Sequence, residues 1–319
     1  MPTLRQLEYL VTVAECGSFT RAAAELHVSQ PTLSSQIAVL EREVGGSLLD
    51  RLPRTVRLTP AGRALIPHAR AALTEARRTL TAARQAVGLE SGELDVAAVH
   101  SATLGLLPAP LRRWRQTHPG VQLGLHEYRH GDELTAAMRN GEADVAIGPT
   151  PDDWSGDLLS LGDEELLIVL ASDDPLSGWQ GPLELSFLAD RAWVHFAPEH
   201  GLAELLDKAC AQAGFSPKVA LRAEQTASAP LLAAAGLGPT LVPASIISVG
   251  FDGLIFETSP PTRRPLAVYH RLNADPLTVE FSRSIAAESE LMPPHIAKRL
   301  RLTEQTSPLT QALHASHCR

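Results

Sequence analysis

Two helix starts are packed into the 17 residues Ser18–Ser34, and that punctuation limits the fold more than any other feature of the chain. Upstream, Leu4, Leu7, Leu10, Val11 and Ala14 recur at helical spacing, which predicts a first helix near 4–15. Gly17 supplies its stop. Ser18 then caps a second, alanine-rich helix that ends near His27 and Val28. Ser29 caps a third, with Pro31 in the first turn, where a missing N–H costs nothing. The third helix runs to about Glu43. Leu33, Ile37 and Leu40 form its buried stripe, and Gln30, Pro31, Ser34 and Ser35 lie off it. Ala22 and Ala23 are small enough to let another helix cross closely. A short helix, a tight turn and a helix with a short-chained polar N-terminal face describe a helix-turn-helix.

The N-terminal end of the second helix of such a motif is the part that enters the major groove. Gln bonds adenine bidentately, and Ser is adaptable. The plainer alternative is a three-helix bundle whose Ser and Gln are merely solvated. The next residues favour the first reading. Gly45 and Gly46 end the helix, and 47–51 and 55–58 read as strands of a hairpin around Leu52-Pro53-Arg54. Arg51, Arg54 and Arg57 decorate it, as they would a wing that touches phosphates or the minor groove. A solvated edge hairpin remains open for each arginine singly. Charge follows the same division. The chain carries a net −8, yet residues 1–88 hold 11 Arg against 7 Asp and Glu, a net of +4, and the remainder holds −12. A basic head on an acidic body suits a protein whose head alone meets a polyanion.

The run LRQLEYLVTVAECGSFTRAAAELHVSQPTLSSQIAVLEREVGGSLLDR, followed by RTVRLTPAG, resembles the winged helix-turn-helix of LysR-type transcriptional regulators from about Leu4 to Gly62. The resemblance implies that Gln30, Pro31, Thr32 and Ser34 approach base edges and that Arg54 sits at the wing tip. Ser29, Ser35 and Arg51 complete the candidate DNA-binding set. One departure stands out. Many members carry Arg where this chain has Ser35, so a bidentate guanine or phosphate contact is missing.

Thr59-Pro60-Ala61-Gly62 is another helix start, with Thr as cap and Pro at the first position. The helix is expected to reach about Val87, with Gly88 as its stop. Leu65, Ala69, Leu73, Ala76, Leu80, Ala83 and Val87 approximate a heptad seam along a rod about 40 Å long. The seam packs either on its own domain or on a second copy. The resemblance implies the latter: a linker and dimer helix in a homodimer or homotetramer, presenting two recognition helices to a pseudo-palindromic site.

Beyond Ser91 the pattern becomes α/β. Strands at 94–99, 121–128 and 143–147 alternate with helices at 104–117 and 133–139, which implies a parallel sheet. A second round follows: strands at 165–171, 192–196, 219–223 and 240–242, and helices at 201–213 and 229–235. A strand at 266–270 and a helix at 277–289 return to the first half. Two lobes joined by strands crossing near 164–169 and 265–270 would leave a cleft between them. SGELDVAAVHSATLGLLPAPLRRWRQTHPGVQL, Met138–Gly148 and AAGLGPTLVP resemble the effector-binding domain of the same family, similar in fold to periplasmic solute-binding proteins. The expected organisation is a winged helix-turn-helix over 1–60, a linker helix over 61–88 and an effector domain over 92–300. Lobe one takes 92–163 and 269–300, lobe two 164–268, and 303–319 forms a loose tail.

Ligands of open α/β sheets bind beyond the carboxyl ends of strands. Four such ends are readable: 100–103, 148–150, 197–200 and 225–227. The family pattern implies that Ser101, Thr103, Thr150, Pro198 and Thr226 line the cleft. Ser101 and Thr103 could instead only cap their helix. Few Lys or Arg lie near these ends, so an anionic effector would rest on helix N–H groups and hydroxyls. His100, His195 and His200 would add charge if they titrate near neutral pH, although lone histidines are more often structural.

Other classes find little support. No nucleophile elbow, Walker loop, complete G-x-G-x-x-G, C-x-x-C or H-E-x-x-H occurs, so no catalysis, cofactor or metal is expected. His126 and His130 sit at a strand end, where their spacing does not place both on one face. Cys16, Cys210 and Cys318 are far apart and odd in number, which fits a reducing cytoplasm. Neither a secretion signal nor a membrane span is read, which disfavours an exported solute-binding protein. The expected partners are double-stranded promoter DNA, a small co-inducer and further copies of the chain, with RNA polymerase a further possibility and no membrane. A ligand-independent architectural DNA-binding protein is the remaining rival.

Overall fold

The computed structural model describes residues 1–52, 55–86 and 92–305. They form two compact units: residues 1–95 with 120–124 and 135–144, and the remaining described residues.

The first unit begins with α1 (Leu4–Cys16), α2 (Phe19–Glu25) and α3 (Gln30–Val44). Each start is capped by a hydroxyl. Thr3 accepts from the Gln6 N–H, Ser18 from Arg21 and Ser29 from Thr32. Gly17 closes α1 in the left-handed region. Leu10, Val13, Ala22, Ala23, Leu33, Ile37 and Leu40 share one core with Leu48, Ile66 and Ala69. The hairpin strands β1 (Leu49–Leu52) and β2 (Thr55–Leu58) pair antiparallel, and α4 (Pro60–Ala86) follows. Thr59 caps α4 through the Gly62 N–H at 3.1 Å. A Cβ on Gly62 would stand 2.1 Å from the Leu48 carbonyl oxygen, so only glycine lets α4 start against the hairpin. Up to Leu73 the seam of α4 packs on its own domain: Ala69 is buried, and Leu65 and Leu73 lie against the same core. The helix also passes through Pro67, which has no N–H to return to the Arg63 carbonyl. The side chains of Leu80 and Ala83, and both Val87 and Gly88, lie outside the described residues.

The α/β portion runs β3 (Gly92–Val99), α5 (His100–Gly105), α6 (Pro108–Thr117), β4 (Val121–Tyr128), α7 (Gly131–Arg139), β5 (Val145–Pro149) and β6 (Asp157–Leu170). It continues through β7 (Ala192–Phe196), α8 (Gly201–Gln212), β8 (Lys218–Ala223), α9 (Ser228–Ala234), β9 (Thr240–Pro243), β10 (Leu254–Glu257), β11 (Arg263–His270), α10 (Pro276–Glu288) and α11 (Pro294–Gln305). The single helix expected over 104–117 is two. Helix begins at His100, breaks at buried Leu106 and Leu107, and restarts at Pro108, which cannot donate to a preceding turn.

The sheet is mixed rather than parallel. Its order is β10-β6-β11-β5-β3-β4, with β9 also on β6. β3 and β5 are parallel, whereas β11 is antiparallel to both β5 and β6. The reason is topological: β6 carries the chain out to the second lobe, and β11 brings it back. Strand β10 and helix α11 had no expectation in the sequence. Ile296 and Leu300 of α11 join the second-lobe core of Leu166–Leu170, Trp193, Phe196 and Leu241. Arg299 fastens it, donating to the carbonyl oxygens of Phe251 and Gly253 at 2.9 and 2.6 Å. Residues 294–300 therefore pack with the second lobe, not the first, and helix extends to Gln305 where a loose tail was expected from 303. Residues 306–319 lie outside the described residues.

Candidate functional site

The turn between α2 and α3 is made by a residue that sequence reasoning did not single out. His27 adopts φ +53°, and the Val28 N–H returns to the Ala23 carbonyl at 2.9 Å. That is a Schellman-type stop with histidine in the position glycine usually takes. It aims α3 so that Gln30, Pro31, Thr32 and Ser35 are exposed and Ser34 is half-buried, while Leu33, Ile37 and Leu40 are fully buried. The hydroxyls of Ser29 and Thr32 bond each other at 2.7 Å. Gln30 has no such commitment among the described residues. No acidic residue stands in the first turn of α3, so its N-terminal N–H groups present a partial positive charge outward. The hairpin is fixed to this frame at both ends. Glu41 of α3 accepts from the Leu48 and Leu49 N–H groups at 2.8 and 3.2 Å, and the Val56 N–H donates to the Gly17 carbonyl at 3.0 Å. Arg51 lies on β1 opposite Val56, Arg57 is exposed, and Arg54 falls outside the described residues.

In the second unit the two crossing strands place Glu164 of β6 directly opposite Arg264 of β11. Both are buried, and Arg264 Nε donates to Glu164 Oε2 at 2.7 Å. The pair extends to both sides. Arg264 Nη2 donates to Ser101 Oγ of α5 at 2.7 Å, and Glu164 Oε1 accepts from Ser245 Oγ of the 3-10 turn Ala244–Ile246 at 3.0 Å. A chain of four buried polar side chains thus links the start of α5 to the second lobe. Thr226 is buried as well, and its hydroxyl meets His200 Nε2 at 2.8 Å. Thr150 is held by its N–H to the Pro265 carbonyl at 3.0 Å, and Pro198 is exposed in the turn before α8. Thr103 Oγ1 lies 3.5 Å from the Val99 carbonyl, and no hydroxyl caps α5; Ser101 instead serves Arg264. Among the described residues no group of His, Cys, Asp and Glu could hold a metal ion. No helix among them is long and apolar enough to cross a membrane.

Comparison with known proteins bears on both regions. Residues 4–63 match the family model for the bacterial regulatory helix-turn-helix protein, lysR family, and residues 88–289 match the LysR substrate binding domain. The chain is 37% identical over 257 residues to the HTH-type transcriptional regulator BudR of Raoultella terrigena, covering 77% of this chain and 86% of that protein. The chain belongs to the LysR family. It is 34% identical over 273 residues to the hydrogen peroxide-inducible genes activator of Pectobacterium carotovorum, covering 84% and 90%. The full-length structure of CbnR complexed with its target DNA superposes with a TM-score of 0.65 at 26% identity, covering 89% of this chain and 99% of that one.

As a LysR-type transcriptional regulator, the protein joins a DNA-binding helix-turn-helix to an effector-binding domain. Within that domain the expected shortage of cationic side chains near the strand ends is corrected by Arg264, which β11 brings beside Ser101 across 163 residues. Short-range patterns carry no sign of such a pairing. Of the two roles open to the histidines, the structural one fits His195 and His200. Burial, then the neighbouring charges of His100, Arg264, Arg129 and His130, hold His200 down to about 4, so it is neutral at neutral pH. His195 is buried with Nε2 3.1 Å from Asp207 and Nδ1 within reach of Arg222 and the Phe196 carbonyl, a structural placement. Burial likewise pushes the Cys210 thiol up to about 12.

Proposed function

We propose that promoter DNA is read by the first turn of α3, through Gln30, Pro31, Thr32 and Ser34 with Ser29 and Ser35 at its flanks. Arg51 and Arg54 of the wing supply charge to the phosphates. The observation that carries this reading is the division of α3 into a buried stripe at Leu33, Ile37 and Leu40 and an exposed, acid-free tip. The protein acts in the cytoplasm as a homodimer or homotetramer through α4, and it performs no catalysis. CbnR, by its description, is complexed with its target DNA, which supports transferring the mode of binding.

The effector is a small anion seated at the junction of the two lobes, where Ser101, Thr103, Thr150, Pro198 and Thr226 contribute. Among the described residues no cysteine is suited to sensing an oxidant through its thiol. Such sensing needs an accessible cysteine of low pKa. Cys210 is buried with its thiol pushed up, and a hydrogen bond to Glu25 raises Cys16. Electrophoretic mobility shift on the DNA upstream of the protein's own gene tests the reading. A shift at low salt that weakens steeply as salt rises is expected. No shift on that DNA at low salt would sink it.

A further inference from the structure

Two glutamines stand on α3, and the fold treats them differently. Gln30 is exposed, and among the described residues both ends of its amide are uncommitted. Gln36, half-buried and one turn beyond Thr32, is held by α1. Gln6, only 7% exposed, donates from Nε2 to Gln36 Oε1 at 3.2 Å. The direction of that bond follows from the other end of Gln6. There Oε1 accepts the Thr3 N–H at 3.0 Å, the returning half of the capping box that starts α1. A backbone N–H only donates, so the Gln6 oxygen faces Thr3 and its nitrogen faces Gln36. Gln36 answers with its oxygen, and its own nitrogen points away. Among the described residues nothing accepts from that nitrogen.

An amide held in this way is a donor on its free side. Glutamine distinguishes adenine by giving one hydrogen bond and taking another, and the oxygen of Gln36 is turned back into the protein. A phosphate oxygen asks only for a donor. We propose that Gln36 is a further DNA-contacting residue of the head, donating through Nε2 to a backbone phosphate, and that Gln6 is the positioning residue that fixes its polarity. The inference rests on the docking of α3 in the major groove proposed above. Gln30 then reads sequence, and Gln36 sets register without reading it.

The capping box supplies the test. Gln6→Glu keeps an acceptor for the Thr3 N–H, and a carboxylate is favoured at that position, where it also meets the positive end of α1. The new carboxylate has no N–H to give, so the Gln36 amide turns over to donate to it and shows DNA its oxygen. Tm of the full-length protein is expected to hold or rise while DNA binding falls. Mobility shift is measured on the DNA upstream of the protein's own gene and on a random duplex of equal length. Gln36→Met removes the donor at similar length and is expected to cost roughly tenfold on both duplexes. Gln6→Glu is expected to cost at least as much on both. Added to Gln36→Met, it is expected to change affinity by no more than about threefold, because it acts through the amide. Should Gln36→Met lower Tm, Gln6→Glu at an intact Tm carries the comparison. Unaltered binding by both single variants overturns the proposal, and so does a loss confined to the upstream DNA, which would make Gln36 a base reader. Losses that multiply in the double variant overturn the positioning role of Gln6. An unaltered protein that binds upstream DNA no better than the random duplex sinks base reading by α3, while a loss on the random duplex still upholds the phosphate contact. Binding to neither duplex overturns both.

Discussion

The reading head and the lobe junction handle polar side chains in opposite ways. On α3 the exposed tip is chemically idle within the protein, and its fixed bonds are local, such as Ser29 to Thr32, three residues apart. At the junction Ser101, Glu164, Arg264 and Ser245 are buried and bonded to one another, and the partners are distant, with Glu164 and Arg264 separated by 100 residues. A surface meant to meet many DNA sequences can leave its donors to solvent until DNA arrives. A buried junction must keep its groups paired, because an orphaned polar group there is costly.

The contrast is broken first at Arg264. Arg264→Met leaves the Glu164 carboxylate buried and uncompensated, and a loss of ~3–5 kcal/mol in unfolding free energy is expected. Adding Glu164→Leu should recover most of it, as measured by chemical denaturation. Recovery failing in the double variant would mean the pair contributes more than charge balance. Next comes pH. Folded His200 takes a proton only near 4, whereas the unfolded residue does so near 6.5, so the unfolded state binds more protons between them. Its contribution is complete above about pH 7 and is lost as pH falls through that window, amounting to about 3 kcal/mol at most. His200→Phe should flatten that part of the stability profile.

The head yields smaller effects. Gln30→Ala should cost about 1–3 kcal/mol on the cognate half-site, with stability unchanged, because Gln30 is exposed and supports nothing else. An equal loss on random DNA would contradict base reading. His27→Gly should stabilise the head by about 0.5–1 kcal/mol by relieving the left-handed turn. A destabilised variant would show that the histidine side chain does more there than tolerate its backbone.

The same contrast explains what was legible in the sequence. Helix starts at Ser18, Ser29 and Thr59 and stops at Gly17 and Gly45 are local chemistry, and the observed helices start where those caps direct. Strand β4 and strand β7 also matched their expected spans, since apolar runs bounded by turn residues are local too. What escaped was non-local. The crossing strands expected near 164–169 and 265–270 are present in β6 and β11, but nothing near Arg263 or Arg264 announces that the two pair antiparallel, making the sheet mixed. Helix α11 was missed because His295, Lys298, Arg299 and Arg301 make its segment look polar, although Ile296 and Leu300 are buried. The break at Leu106 and Leu107 was missed by reading across Pro108 rather than stopping at it. His27 escaped because its left-handed backbone runs against its residue type.

The tip of α3 has a consequence for how regulators of this kind diverge. Gln30 and Ser35 are exposed and hold no part of the fold together, so if the tip reads bases as proposed, replacing either changes the preferred site without endangering the protein itself. Glu164 and Arg264 permit no such drift, because a change at one demands a change at the other. On the proposed reading, promoter preference is free to change one residue at a time, while the core of the sensing domain changes only in coordinated steps.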